Sequence, residues 1–392
     1  MHANHIPRRA EIAYRGIVKI LFNSLPAHGH TYPLLPLAIA AKQAGHEISY
    51  ATWDNFQPTL EKLGFEFIRA GGDMRAAFAT AAGTEVRSAS QFDKEESSAI
   101  ARRVFGEVMP RQTIADLRPV VAARRFDLVV YESAAFGGGI TARLEGVPAV
   151  SHGITKGTAL VEALGEFLPP LLAEQEVDFG FTDPYLDIYP ASLVEPVAGG
   201  PLLDRVPLRP VPFAEGGALP DWVADHPDKL IYLTLGTAFG NPRVLTAAIQ
   251  GLAATGHRVL VAAGPTVSLA DLGDPPSNVT VQPWVPQAEL LPHVDLVVHH
   301  GGSGTTLGSA AAGVPQLFLP QGADQFDNAE TFTGAGAARQ LLGDDVNPDA
   351  ITETASALLT DEAIAKAVAT LADEIADMPS PADIAARLPE WA

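Results

Sequence analysis

The chain has 392 residues, 47 % of them apolar and only 18 % charged, with no cysteine and a formal net charge of −20. That length exceeds one ordinary core and predicts two domains, while the apolar fraction excludes a disordered chain. Such an acidic chain repels phosphodiester backbones and anionic lipid, so no nucleic acid and no membrane partner is expected, and without cysteine there is no disulfide, thiolate metal site or thiol nucleophile.

The N-terminal stretch "MHANHIPRRAEIAYRGIVKILFNSL" is basic, but Lys19 interrupts its apolar run, so no secretory signal is expected. No later run approaches the ~20 apolar residues that span a bilayer. A cytoplasmic location follows as the expectation.

"KILFN" reads as a strand, followed by the loop "SLPAHGH" and an apolar helix expected to begin around Tyr32. His28 and His30, two positions apart, have three readings: half of a metal site, a base, or polar punctuation. A metal site would need further His and Asp ligands from later strands, and the later loops instead carry glycines and hydroxyls, so no metal is expected. Punctuation suits His28 better than His30. The positive end of the following helix disfavours imidazolium, which predicts a neutral His30 near pH 7, able to take a proton. Such a base needs a partner to hold its tautomer. Glu132, directly after the strand "DLVVY", is expected at the same sheet edge.

Four phrases then recur in order. "KILFNSLPAHGH", "AGHEISYAT", "FDLVVYESAAFGGG" and "EGVPAVSHG" are answered by "KLIYLTLGTAFG", "TGHRVLVAAGP", "VDLVVHHGGSGTT" and "AGVPQLFLP". Each is a short β-branched or Leu-rich run closed by Gly, Pro or His, with segments of helical period between. Alternation of this kind predicts βαβ units, and its repetition predicts an α/β protein of two Rossmann-like parallel sheets. The Pro- and Gly-rich stretch Val206 to Trp222 reads as the linker between them. Ligands bind beyond the carboxyl ends of such strands, so four loops should share one cleft: Leu25–His30, Glu132–Gly139, Gly236–Gly240 and His299–Thr305.

In the last loop, glycines and then Ser303, Gly304, Thr305 and Thr306 open a helix of small residues. Free N–H groups at a helix start, with hydroxyls beside them, make an anion site without lysine; an ordinary tight turn with capping is the other reading. "GGSGT" also approaches a hydrolase nucleophile elbow, but that family needs a histidine after the serine, and none follows His300.

With these residues in view, the chain resembles the family 1 glycosyltransferases of GT-B fold, most closely the bacterial branch that decorates macrolides, enediynes and related aglycones. "GHTYPLLPLAIAAKQAGHEISYAT" is similar to the family's N-terminal signature, and "WVPQAELLPHVDLVVHHGGSGTTLGSAAAGVPQLFLPQGADQFDNAE" to its donor-binding stretch. The resemblance implies two parallel-sheet domains facing each other across a cleft: an acceptor-binding domain over residues 1–213, a nucleotide-sugar-binding domain over 214–378, and a helix over 379–392 crossing back to the first. It implies His30 as general base, with Glu132 standing where the family usually has aspartate. It implies Trp284 stacked on a pyrimidine, the Val285 backbone on the base edge and Gln287 near the ribose. His300, Gly302, Ser303, Gly304 and Thr305 would meet the pyrophosphate with Thr237 nearby, and Asp324 and Gln325 would hold sugar hydroxyls.

The implied reaction is an inverting transfer of a sugar from a nucleotide diphosphate, dTDP favoured over UDP, to a hydroxyl of an apolar natural product, with no metal and no further cofactor. Segments Met74–Phe105 and Thr155–Leu172 are the expected acceptor walls, with Phe78, Phe92, His152 and Phe167 as contacts. A nucleotide-sugar 2-epimerase and a non-catalytic nucleotide-sugar-binding helper are the alternatives.

Overall fold

The computed structural model describes residues 16–85, 94–157, 166–180, 182–194, 204–213, 216–224, 226, 228–237 and 240–392. Seven strands form the first sheet: β1 (Lys19–Asn23), β2 (Glu47–Thr52), β3 (Glu66–Arg69), β4 (Leu128–Glu132), β5 (Ala149–His152), β6 (Tyr185–Asp187) and β7 (Arg205–Pro207). The second holds β8 (Leu230–Thr234), β9 (Arg258–Ala262), β10 (Val279–Gln282), β11 (Leu296–His299), β12 (Gln316–Phe318) and β13 (Ala338–Gln340). Every pairing is parallel. Central strands such as "LVVYE" and "LIYLT" are buried along their whole length, because helices cover both faces of a parallel sheet.

The strand orders are β3-β2-β1-β4-β5-β6-β7 and β10-β9-β8-β11-β12-β13. In both sheets the order reverses between two neighbouring strands, β1 beside β4 and β8 beside β11. At such a reversal the two following loops diverge to opposite faces and leave a crevice at the strand ends. The four loops singled out in the sequence follow these four strands. Helices end and strands begin at Gly45 (φ 96°) and Gly256 (φ 78°), in the left-handed region that glycine enters without strain.

The proposed linker begins later than expected. Val206 and Pro207 belong to β7, where Pro207 ends an edge strand and its missing N–H leaves no sheet partner unsatisfied. The C-terminal end returns to the first domain. The helix Pro381–Ala385, opened by a Ser380–Asp383 capping box, packs on the helix Leu35–Gln43. Contacts across the domains start before it, with the Arg209 guanidinium donating to the Ala376 carbonyl at 3.0 Å and the Ser192 N–H to Glu374 at 3.0 Å. One apolar cluster runs from Phe22 and Leu34 through Tyr189 to Leu317, Ile375 and Ile384, so the two domains share a core. Among the described residues, no helix is long and apolar enough to cross a membrane.

Candidate functional site

His30 lies inside a helical turn, His28–Thr31, and not ahead of a helix starting at Tyr32. Its Nδ1 is 3.0 Å from Oε2 of Glu132. Glu132 ends β4 with no exposed surface, and its Oε1 accepts the Ala134 N–H at 2.5 Å. A carboxylate only accepts, so Nδ1 of His30 carries the proton and Nε2 is left as the basic atom. The expectation of a ring kept neutral by the helix end needs correcting. Burial does pull the His30 pKa down, but the charge of Glu132 and the hydrogen bond to it, helped by Asp324 from the second domain, outweigh burial and raise it above the ordinary histidine value. A nearby carboxylate at hydrogen-bond range acts more strongly than one helix terminus.

His28 is not idle loop. Its ring lies 5.0 Å from Tyr32, 5.3 Å from Phe56 and 5.7 Å from Trp284 of the second domain. The two histidines therefore turn toward different partners, as a metal pair would not.

Opposite stands the loop after β11. His299 is buried: its Nδ1 accepts the Gly301 N–H at 3.1 Å, so its Nε2–H donates to Gln316 Oε1 at 2.9 Å. Burial, then the neighbouring His300, lower its pKa to about 3, and burial lowers that of His300 to about 4. Both rings are thus neutral at pH 7. The His300 ring is wedged between two glycines, since a Cβ on Gly236 would sit 2.5 Å, and one on Gly302 2.7 Å, from its Nε2. Beside it the Thr234 backbone partly offsets the effect of burial on this ring. Gly236 (φ 74°) also carries the chain into half-buried Thr237.

The helix Ser303–Ala311 starts at Gly302 with no side-chain cap, leaving its first N–H groups to an external acceptor. The hydroxyls do not join them as expected. Ser303 donates to Asp324 Oδ2 at 2.9 Å, and Thr305 to Gln287 Oε1 at 3.0 Å. Partners within the fold hold both hydroxyls, which leaves the backbone N–H groups as the free donors at this helix start. Gln325 is buried, its Oε1 accepting the N–H groups of Gln321 and Gly322 at 2.8 and 3.0 Å. Val285 is core, whereas Trp284 is 40 % exposed.

The expected acceptor residues divide. Phe78 sits edge-on to Phe105 at 6.1 Å, and Phe105 stacks over His30 at 6.4 Å with 23° between the planes. Phe92 lies outside the described residues. Phe167 packs with the Leu168–Leu171 cluster, and its backbone and Cβ close over Gly106, the chain neighbour of Phe105. His152 has no exposed surface, because β5 lies inside the sheet with Glu132 directly opposite it. Sequence reasoning reached Phe105 only as the end of an expected acceptor wall, and it did not single out Tyr189 or Asn328. Phe105 lies in a π-helical turn, Val104–Val108, that no local pattern announces.

The chain matches the family described as erythromycin biosynthesis protein CIII-like, through its N-terminal domain over residues 39–236 and its C-terminal domain over 247–391. It belongs to this family of antibiotic glycosyltransferases. Among relatives of this enzyme, the elloramycin glycosyltransferase of Streptomyces olivaceus is 34 % identical across 95 % of this chain and 97 % of its own. The L-demethylnoviosyl transferase of Streptomyces niveus is 32 % identical across 94 % and 97 %. The crystal structure of the Streptomyces sp. SF2575 glycosyltransferase with thymidine diphosphate aligns with a TM-score of 0.77 at 27 % identity, covering 96 % of this chain and 100 % of that one. The glycosyltransferase thus has the GT-B fold, with its two switch-point crevices facing one another.

Proposed function

We propose that this glycosyltransferase moves a sugar from a dTDP-linked donor to a hydroxyl of an apolar natural-product aglycone, inverting the anomeric centre, in the cytoplasm. The observation that carries this reading is the buried His30–Glu132 pair. It presents a basic nitrogen to a cleft whose far wall is the uncapped helix start at Ser303.

The acceptor hydroxyl loses its proton to Nε2 of His30 as its oxygen attacks the anomeric carbon. Glu132 stabilises the imidazolium that forms. Attack from the side opposite the nucleotide breaks the bond to the leaving diphosphate in the same step, which inverts the centre. The N–H groups at Ser303, Gly304 and Thr305 and the neutral ring of His300 meet the charge that develops on the diphosphate, as donors whose orientation is fixed before reaction. Trp284 offers an exposed indole face to the base, with the Val285 backbone and Gln287 behind it. Asp324 keeps Oδ1 for a sugar hydroxyl. Leu25, Phe78, Phe105 and Met109 form one apolar group beside His30, suited to an uncharged aglycone. The thymidine diphosphate bound by the 27 %-identical relative supports dTDP over UDP.

Titration of the protein with dTDP and with UDP, each with EDTA present, tests the reading. Tighter binding of dTDP without metal is the expected result. Failure of both nucleotides to bind removes the donor site, and tighter UDP binding overturns the donor assignment.

A further inference from the structure

We infer that Tyr189 of the first domain is a positioning residue for the donor: its hydroxyl, joined to Ser303 and Asn328, sets the loop and the Asp324 carboxylate that the donor meets. The inference rests on the donor-site reading above.

Tyr189 follows β6 and is 1 % exposed. Its N–H donates to Oδ1 of Asp187 at 2.9 Å, and Asp187 is clasped by Nε of Arg205 on β7 at 2.6 Å. From that anchor the ring crosses to the second domain. Its hydroxyl donates to Oδ1 of Asn328 at 2.6 Å and lies 2.9 Å from Oγ of Ser303. Ser303 donates to Oδ2 of Asp324. Asn328 Nδ2 donates to the Gly301 carbonyl at 2.8 Å and reaches Ser303 Oγ at 3.1 Å and Asp324 Oδ2 at 3.3 Å.

Two hydroxyl protons therefore serve three oxygen contacts in a buried network, and redirecting one changes the others. What the network holds is the site itself: the carbonyl at Gly301, the first residue of the anion-binding helix, and one oxygen of Asp324. A second residue of the first domain grips the same helix, Gln325–Gly334. Lys156 Nζ lies 2.9 Å from Asp327 and 2.6 Å from Oγ1 of Thr331. Among the positions assigned to the donor, Tyr189 bonds only the hydroxyl of Ser303, which itself serves Asp324, so Tyr189 acts through Ser303, Asn328 and Asp324. Tyr189 and Ser303 lie 114 positions apart in the chain, and no local pattern marks the pairing.

The test is a double-mutant cycle on dTDP affinity, measured by titration calorimetry with the full chain. Tyr189→Phe keeps the ring and its packing, and leaves the Asn328 oxygen short of a donor in a buried site. Tyr189→Phe and Ser303→Ala are each expected to weaken dTDP about tenfold, and the double variant no more than the weaker-binding single variant, because both break one network. A merely structural tyrosine would lower the melting temperature and leave the affinity of the folded protein unchanged. Asn328→Ala breaks the same network from the other domain and is expected to weaken dTDP to a similar degree. Unchanged affinity in Tyr189→Phe or in Asn328→Ala overturns the inference, as do effects that multiply in the double variant. A wild type that binds no dTDP overturns the donor-site reading beneath it.

Discussion

His30 and Glu132 stand 102 residues apart in the chain, yet Nδ1 of one lies 3.0 Å from Oε2 of the other. The contact exists because β1 and β4 are neighbours at the switch point, so the loop after one opens beside the end of the other. A buried carboxylate is costly unless its lone pairs are used. Here Oε1 takes the Ala134 N–H, while Oε2 faces both His30 and, at 3.5 Å, the Leu25 N–H. Glutamate thus reaches the imidazole from the end of β4.

His30→Ala is expected to lower sugar transfer by about 10²–10⁴-fold, the usual worth of a positioned base, and to leave dTDP affinity unchanged. Product formation and nucleotide titration on one preparation separate these effects. Equal loss of both would mean that the alanine had disturbed the fold.

In the proposed reaction transfer requires unprotonated His30, whose pKa is raised above the ordinary 6.5. The rate is therefore expected to climb with pH along a limb centred above that value. Glu132→Gln removes the charge that raises the pKa and should shift the limb to lower pH while reducing the maximum rate. The pair's contribution to stability runs the other way. It is complete below the unfolded pKa of about 6.5 and is lost as pH rises through the folded pKa of His30. NMR titration of the histidine ring protons, compared with the pH–rate profile, checks both. A limb that stays put in Glu132→Gln would take Glu132 out of the mechanism.

Acid should act through other histidines. His152, held at about 4 by burial, donates from Nδ1 to the Gly153 carbonyl at 2.8 Å, and His299 and His300 are held at about 3 and about 4. The unfolded chain protonates each near 6.5 while the native fold resists. Stability is thus full above that pH and falls as pH drops toward 4, by about 3 kcal/mol for His152 alone. Melting temperatures between pH 7 and pH 4 are expected to show a shallower decline for His152→Gln than for the wild type. Parallel declines would show that His152 does not titrate in the unfolding equilibrium.

Gly302→Ala separates the anion site from the fold. Gly302 has φ −62°, so alanine brings no backbone strain. Its Cβ would sit 2.7 Å from His300 Nε2, however, and the ring cannot retreat because Gly236 closes the other side. Loss of at least about tenfold in dTDP affinity is expected, with an unchanged circular dichroism spectrum. Gly304→Ala, whose Cβ meets nothing within 4 Å, should weaken binding less. If the two variants bind equally well, His300 is not seated by its glycines.

Much of the architecture was legible because strand-forming runs, glycine punctuation and helical period act over a few residues. The doubled phrases of the chain give two sheets of like order, and the four loops singled out follow β1, β4, β8 and β11. The pairing of His30 with Glu132 was also within reach, since one sheet edge carries both. Directions of side chains were not. Ser303 and Thr305 look like phosphate ligands in "GGSGT", but their hydroxyls serve Asp324 and Gln287, residues 21 and 18 positions away.

By itself, the sequence determined the strands, the turns and the chemistry available at each strand end, because those depend on neighbours along the chain. Only the tertiary structure decided which groups meet: His28 against Trp284, Phe105 over His30, Tyr189 with Ser303. It also decided that His30 gains basicity while His152, His299 and His300 lose it. Local sequence names a titratable group, but burial and the charges that packing brings to it set its proton affinity.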